Sequence, residues 1–290
     1  MKTIWFFEKE IKQNPKTPRV GIKVKKEVFS QRTPYQKIEI FDTKPYGRML
    51  VLDSLIQLTE KDEFIYHEML VHPAMFLHPN PKRALIIGGG DGGALREVLK
   101  HEVEEVYLDD IDPKVIEAAK RYLPFVSKGA FDSKKVKIFN EDGLKFIKKF
   151  KNFFDVIIAD ATDPTPRDFA IGLFKKPFFK DAFFALKSDG LVSNQSGCFS
   201  DYFFKESLKN IKKIFPFAEI HKAFIPCFPE MEHTFTVGAK FDIGKVSQKE
   251  IQRRFEKLKE KEFKYYSPEI HFASKVLPKY IKENYIRGII

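Results

Sequence analysis

The chain has 290 residues, enough for one large α/β domain and a small appendage. Its residues are 43% apolar, yet no run approaches the roughly 20 apolar residues that cross a membrane, which excludes a helical membrane protein. The formal net charge of +11 raises a nucleic-acid role, but the lysines are spread along amphipathic patterns and interleaved with glutamate, so they read as solvated helix faces. Cys198 and Cys227 sit on separate segments and offer neither a disulfide framework nor a zinc pattern. The start, MKTIWFFEKEIKQ, is charged by residue 8 and lacks a signal-peptide core, so the expected location is cytoplasmic.

Residues 1–60 alternate polar and apolar side chains, as in Gly21-Ile22-Lys23-Val24-Lys25, Gln36-Lys37-Ile38-Glu39-Ile40-Phe41 and Arg48-Met49-Leu50-Val51-Leu52. This period of two, broken at Pro45-Tyr46-Gly47, predicts an antiparallel sheet of hairpins. Over 61–290 the pattern becomes strand, helix, strand. A helix over 61–77 leads to strand 84–88, helix 94–101 and strand 105–110. Asp112-Pro113 supplies an N-cap and a first-turn proline for helix 113–122. Strand 136–140, helix 143–150, strand 155–160, helix 175–187, strand 190–195 and helix 200–214 follow, then strands 218–225 and 234–241. The alternation predicts an α/β fold: a Rossmann-like, methyltransferase-type doubly wound parallel sheet beside a small N-terminal antiparallel β domain. Ligands should gather at the carboxyl ends of the parallel strands.

The most informative stretch is LIIGGGDGG at 85–93. The apolar run Ala84 to Ile87 ends in glycines, and Ala94-Leu95-Arg96-Glu97-Val98-Leu99 opens a helix. Glycines at such a turn let backbone approach a ligand at a helix N-terminus. The loop also carries Asp91, where a phosphate cradle would avoid negative charge, so the expected ligand is a nucleoside bearing a cation. Acids mark the next strand ends as well: Asp109 and Asp110, then Asp142 with Gly143, then Asp160 and Asp163. Any one of them fits a cap or a solvated loop; acids at four successive strand ends of a basic chain read as a site. Asp112 is the exception, since capping explains it fully. An acid about 20 residues beyond the glycine loop commonly accepts from ribose hydroxyls, which favours Asp110 over Asp109. Asp142 can accept from an exocyclic amine such as the adenine N6. Asp91 lies where the other arm of the ligand reaches; it would repel the carboxylate of S-adenosylmethionine and attract an arm ending in a bare ammonium.

Here the residues resemble a family. GGGDGGALREV at 88–98 is similar to the signature of the polyamine aminopropyltransferases, the spermidine synthase family. The resemblance continues through Trp5-Phe6-Phe7-Glu8, YQKIEIF at 35–41, GRMLVLD at 47–53, LTEKDEFIYHEML at 58–70, IIADATDP at 157–164 and YYSPEIHFAS at 265–274. It implies transfer of an aminopropyl group from decarboxylated S-adenosylmethionine, a co-substrate, to an amine, with no cofactor or metal. It further implies that Gln36, His67, Asp91, Asp110, Asp142, Gly143 and Pro166 bind the donor. Tyr66, Asp160, Asp163, Gln195 and Glu230 would bind the acceptor, with Asp160 as proton acceptor, and the small substrates would be served by a homodimer or homotetramer. Without the resemblance, Tyr66 and His67 read as a half-buried pair on a helix.

The chain departs from the family around the acceptor. The segment TPRDFAIGLF at 165–174 is longer than in many members and carries Arg167 and Asp168. Where the family often shows Tyr-Pro followed by Gly and Trp, this chain has Phe228-Pro229-Glu230-Met231-Glu232-His233. Putrescine is the expected acceptor; agmatine, cadaverine or spermidine would follow if Glu230 or Glu232 faced the pocket. Two other readings compete. A methyltransferase on the same fold is opposed by Asp91 and by the DATDP segment, and a basic nucleic-acid binder is opposed by the acidic strand ends.

Overall fold

The alternating N-terminal segments pair into an antiparallel sheet in chain order: β1 (Ile4–Phe7), β2 (Gly21–Arg32), β3 (Lys37–Thr43), β4 (Arg48–Leu52) and β5 (Leu55–Thr59). The computed structural model describes residues 4–8, 21–164, 169–228 and 231–289, with only the backbone of Phe169. Between β4 and β5, Asp53 and Ser54 both have positive φ, as a two-residue hairpin with right-handed strand twist requires. One face of the sheet packs Ile22, Val24, Met49 and Val51 against the helix that follows it. The other packs Ile38, Ile40, Leu50 and Leu52 against Val115, Ala118, Leu123 and Val126 of the larger unit. The small sheet is therefore clamped on both faces, which fixes its position over the larger sheet.

That following helix, α1 (Glu63–Leu77), is buried at every position from His67 to Leu77 and runs through Pro73. It carries apolar residues all round because it lies between the two sheets. The second sheet comprises β6 (Arg83–Gly88), β7 (Glu105–Asp109), β8 (Val136–Phe139), β9 (Phe154–Asp160), β10 (Leu186–Cys198), β11 (Phe217–Ala223) and β12 (His233–Ala239). Its order is β11-β12-β10-β9-β6-β7-β8. Strands β6, β7, β8, β9 and β10 are parallel, as the sequence predicts, but β12 runs antiparallel to both β10 and β11. The reason is the connection: only nine residues separate the end of β11 from the start of β12, too few for the crossover that a parallel return needs.

The remaining helices are α2 (Gly93–Val98), α3 (Pro113–Tyr122), α4 (Pro124–Ser127), α5 (Gly143–Phe146), α6 (Lys176–Ala185), α7 (Tyr202–Ile214), α8 (Gln248–Glu256), α9 (Pro268–Ala273) and α10 (Lys279–Asn284). The expected helix over 143–150 divides into α5 and a 3-10 turn over Ile147–Lys149. Among the described residues no helix is long and apolar enough to cross a membrane.

Glu68 of α1 ties down the C-terminal segment. Its carboxylate, 1% exposed, accepts from the backbone N–H groups of Lys264, Tyr265 and Tyr266 at 2.8, 2.8 and 2.7 Å. Glu68→Ala leaves three backbone donors, that of Tyr266 buried, without this acceptor, so it should lower unfolding stability by about 2 kcal/mol. Urea denaturation checks this, and a loss below about 1 kcal/mol would show that the segment finds other partners.

Candidate active site

The carboxyl ends of the parallel strands open into one cleft lined by Asp91, Asp109, Asp110, Asp142 and Asp160. The glycine loop between β6 and α2 is shaped by Asp160 as well as by room for a ligand. Gly88 and Gly89 have φ of +79° and +71°. A Cβ on Gly88 would lie 2.1 Å from the Asp160 carbonyl oxygen, the same oxygen that accepts from the Gly89 N–H at 3.0 Å. Only glycine lets the loop press onto the end of β9 in this way.

Helix α1 delivers Tyr66 and His67 to this point. The Tyr66 hydroxyl donates to Asp160 Oδ1 at 2.8 Å, while Asp160 Oδ2 is buried and has no hydrogen-bond partner. Burial, and then the charge of Asp91, push the Asp160 pKa up to about 6. Burial and Asp160 raise the Tyr66 phenol further, so it stays a donor. His67 is held from both sides, with Nδ1 2.7 Å from Glu63 Oε2 and Nε2 3.3 Å from Asp91 Oδ1. Burial opposes its charge, but Asp91 and Glu63 outweigh burial and raise the pKa to about 10. Asp91 also accepts from the Gly93 N–H at 2.6 Å. Against its own burial, His67 and that N–H hold Asp91 below the ordinary carboxylate range.

His67, Asp91 and Asp160 bring three possible ligating atoms within 4.8 Å of one another. Both His67 nitrogens, however, face carboxylate oxygens that only accept. That arrangement suits a doubly protonated ring, which has no lone pair for a metal.

At the second strand end, Asp110 accepts from the Gly90 N–H at 2.8 Å and the Asp112 N–H at 2.9 Å, and burial raises its pKa to about 7. Asp109 accepts from the Glu141 N–H at 2.9 Å, leaves Oδ2 buried without a partner, and is raised by burial to about 6. Asp142 caps α5 through the Leu144 N–H at 3.0 Å. A Cβ on Gly143 would meet Ile87 at 2.4 Å, so glycine is required where α5 starts. The reading of Asp112 as a cap alone is incomplete. Its Oδ1 caps α3 through the Lys114 N–H, and its Oδ2 accepts from Thr33 Oγ1 at 2.7 Å and Gln36 Nε2 at 3.2 Å. That pair anchors the small sheet at the cleft, where Tyr35, Gln36, Asp53 and Gln57 join the lining.

Beyond β9, Gln195 Nε2 donates to the Ala161 carbonyl at 2.9 Å and to Asp163 Oδ1 at 3.1 Å. Gln195 is 2% exposed and acts on the cleft by holding this segment. Glu232 is drawn to Lys222 Nζ at 2.5 Å and does not line the cleft. His233 is buried against Tyr66, with ring centroids 5.3 Å apart, and burial lowers its pKa to about 3. Pro166 and Glu230, together with Arg167 and Asp168, lie outside the described residues. Glu63 and Arg96 were not singled out in the sequence, although Glu63 stands four residues before His67, the spacing that puts two side chains on one helix face.

The geometry has counterparts among known proteins. The spermine/spermidine synthase domain matches residues 63–248, and the spermidine synthase tetramerisation domain matches residues 4–60. The chain belongs to the spermidine synthase family. Within that family, the polyamine aminopropyltransferase of Caldicellulosiruptor bescii is 43% identical, with 97% of each chain covered. That of Thermotoga neapolitana is 42% identical, covering 97% of this chain and 93% of its own. A spermidine synthase solved in complex with the transition-state analogue AdoDATO has a TM-score of 0.89 at 40% identity, covering 97% of this chain and 94% of that one.

Gly93 tests how tightly the site is packed. Helix propensity alone would favour Gly93→Ala by about 0.5–1 kcal/mol. A Cβ there would stand 2.2 Å from the His67 ring, so we expect a lower thermal midpoint instead. A raised midpoint would show that His67 moves aside freely.

Proposed function

We propose that this chain transfers the aminopropyl group of decarboxylated S-adenosylmethionine to putrescine, giving spermidine and methylthioadenosine. The observation that carries this reading is Asp160: one carboxylate oxygen is held by Tyr66, and the other is buried and unpartnered beside the glycine loop. Asp110, Asp142, Gly143 and Gln36 hold the nucleoside in this reading, and Asp109 Oδ2 adds an acceptor beside them. Asp91, steadied by His67, takes the ammonium of the aminopropyl arm. Tyr66, Asp163 and Gln195 serve the acceptor side. The donor role of Pro166 rests on the family resemblance, and an acceptor role for Glu230 on the chain's departure from the family at 228–233.

The reaction needs little beyond alignment. The lone pair of the neutral amine attacks the methylene carbon next to the sulfonium. The carbon–sulfur bond breaks, its electron pair stays on sulfur as a thioether, and one amine proton leaves toward Asp160 Oδ2. An Asp160 pKa near 6 narrows the gap to an alkylamine near 10 without closing it, so the proton moves as the new bond forms. No step calls for a metal or an organic cofactor, and the doubly engaged His67 gives a metal no purchase.

Putrescine stays the preferred acceptor because Glu232, one of the two carboxylates that argued for a larger or more charged amine, is engaged by Lys222. The tetramerisation-domain match, together with exposed Ile4, Trp5 and Phe7 on β1, supports a homodimer or homotetramer.

Methylthioadenosine release from decarboxylated S-adenosylmethionine should be seen with putrescine, and more slowly with cadaverine, agmatine or spermidine; equal or faster release with agmatine would reassign the acceptor. Asp160→Asn should lower kcat by about a hundredfold or more with little change in donor Kd. Near-normal turnover would remove Asp160 from the mechanism.

A further inference from the structure

Behind His67 lies a buried string of charges that the proposed chemistry does not use. The Arg96 guanidinium donates to Glu63 Oε1 at 2.8 Å and Glu63 Oε2 at 3.0 Å, and its Nε donates to Glu97 Oε1 at 2.6 Å. Lys100 Nζ closes the string 2.5 Å from Glu97 Oε2, where His72 Nε2 also sits at 2.7 Å. Glu63, His67, Arg96 and Glu97 are each at most 9% exposed. Signs alternate from the cleft inward: Asp91, His67, Glu63, Arg96, Glu97, Lys100.

We propose that Glu63 and Arg96 are positioning residues that hold His67 as an imidazolium and so fix the Asp91 carboxylate in the cleft. A neutral imidazole has one N–H, whereas His67 meets a carboxylate at each nitrogen, so a single proton would leave one lone pair facing another. Glu63 can stay ionised in the interior because the Arg96 fork engages both of its oxygens and sets its plane. The charged or titratable groups facing His67 are Glu63 and Tyr66 on α1, Asp91 in the glycine loop, Arg96 on α2 and Asp160 on β9. Removing the Glu63 charge takes one anion from His67 and, in the same step, leaves Arg96 less neutralised beside it. Both changes favour the neutral ring. A buried charge that loses its partner is left uncompensated, so the effect passes along the string to Asp91.

The consequence for the donor rests on the role proposed above for Asp91, and the two parts are separable. With [13Cε1]histidine, the seven histidine signals report protonation directly, and His67→Asn assigns the one at issue. In the wild-type protein the His67 signal should remain that of the doubly protonated ring to about pH 9. In Glu63→Gln it should titrate between about pH 6 and 8, and calorimetric donor affinity should fall about tenfold over the same range. Arg96→Lys keeps the charge but loses the fork, and should shift His67 in the same direction by less; it carries the test if Glu63→Gln does not fold. A His67 signal that stays doubly protonated to the same pH in the variants overturns the proposal. Titration of His67 without the loss of donor affinity supports the positioning role and overturns the donor role of Asp91.

Discussion

Burial of like charge at the ends of parallel strands is the constraint on which the site depends. Asp91, Asp109, Asp110, Asp142 and Asp160 share one cleft. Two unit charges about 4 Å apart interact by roughly 4 kcal/mol at the effective dielectric of a protein site. Burial answers by raising Asp109, Asp110 and Asp160 toward neutrality, to about 6, 7 and 6. Asp91 escapes because His67 stands beside it and the Gly93 N–H donates to it. In the proposed reaction, a ligand carrying a sulfonium and an ammonium would relieve the remainder, and the cleft would select its donor and acceptor largely by charge.

Position comes from backbone. The glycine loop can lie against the last residue of β9 because Gly88 has no Cβ, and that contact brings Asp91 and Asp160 together from different strands. Helix α1, wedged between the two sheets, contributes Glu63, Tyr66 and His67 from a single turn. Those residues are anchored from behind by α2, through Arg96, and farther along α1 by Glu68 on the C-terminal segment. The small sheet, clamped on both faces, completes the cleft with Gln36 on Asp112.

Much of this was legible in the sequence. Strand-end acids stand out because a parallel strand is an apolar run whose end is easy to find, as at Ile87-Gly88 and Ala159-Asp160. Asp112-Pro113 announced its cap, and the Lys114 N–H donates to Asp112 Oδ1 as expected. Other features depend on distances between segments that no local pattern encodes. The reversal of β12 shows only in its pairing with β10 and β11, and the ranking of Asp109 below Asp110 could not foresee that backbone N–H groups engage both Asp110 oxygens but only one of Asp109. Asp112 looked complete as a cap because its other partners, Thr33 and Gln36, are 79 and 76 residues away. Glu63 and Arg96 were hidden for a similar reason: 33 residues apart, they meet only when α1 packs on α2.

Equilibrium binding of two donors that differ by one carboxylate tests the charge account most directly. Calorimetry at about pH 7.5 should show decarboxylated S-adenosylmethionine binding at least about a hundredfold more tightly than S-adenosylmethionine, a difference of about 2.7 kcal/mol. Equal affinity, or a preference for the carboxylated form, would contradict the claim that buried negative charge selects the ligand.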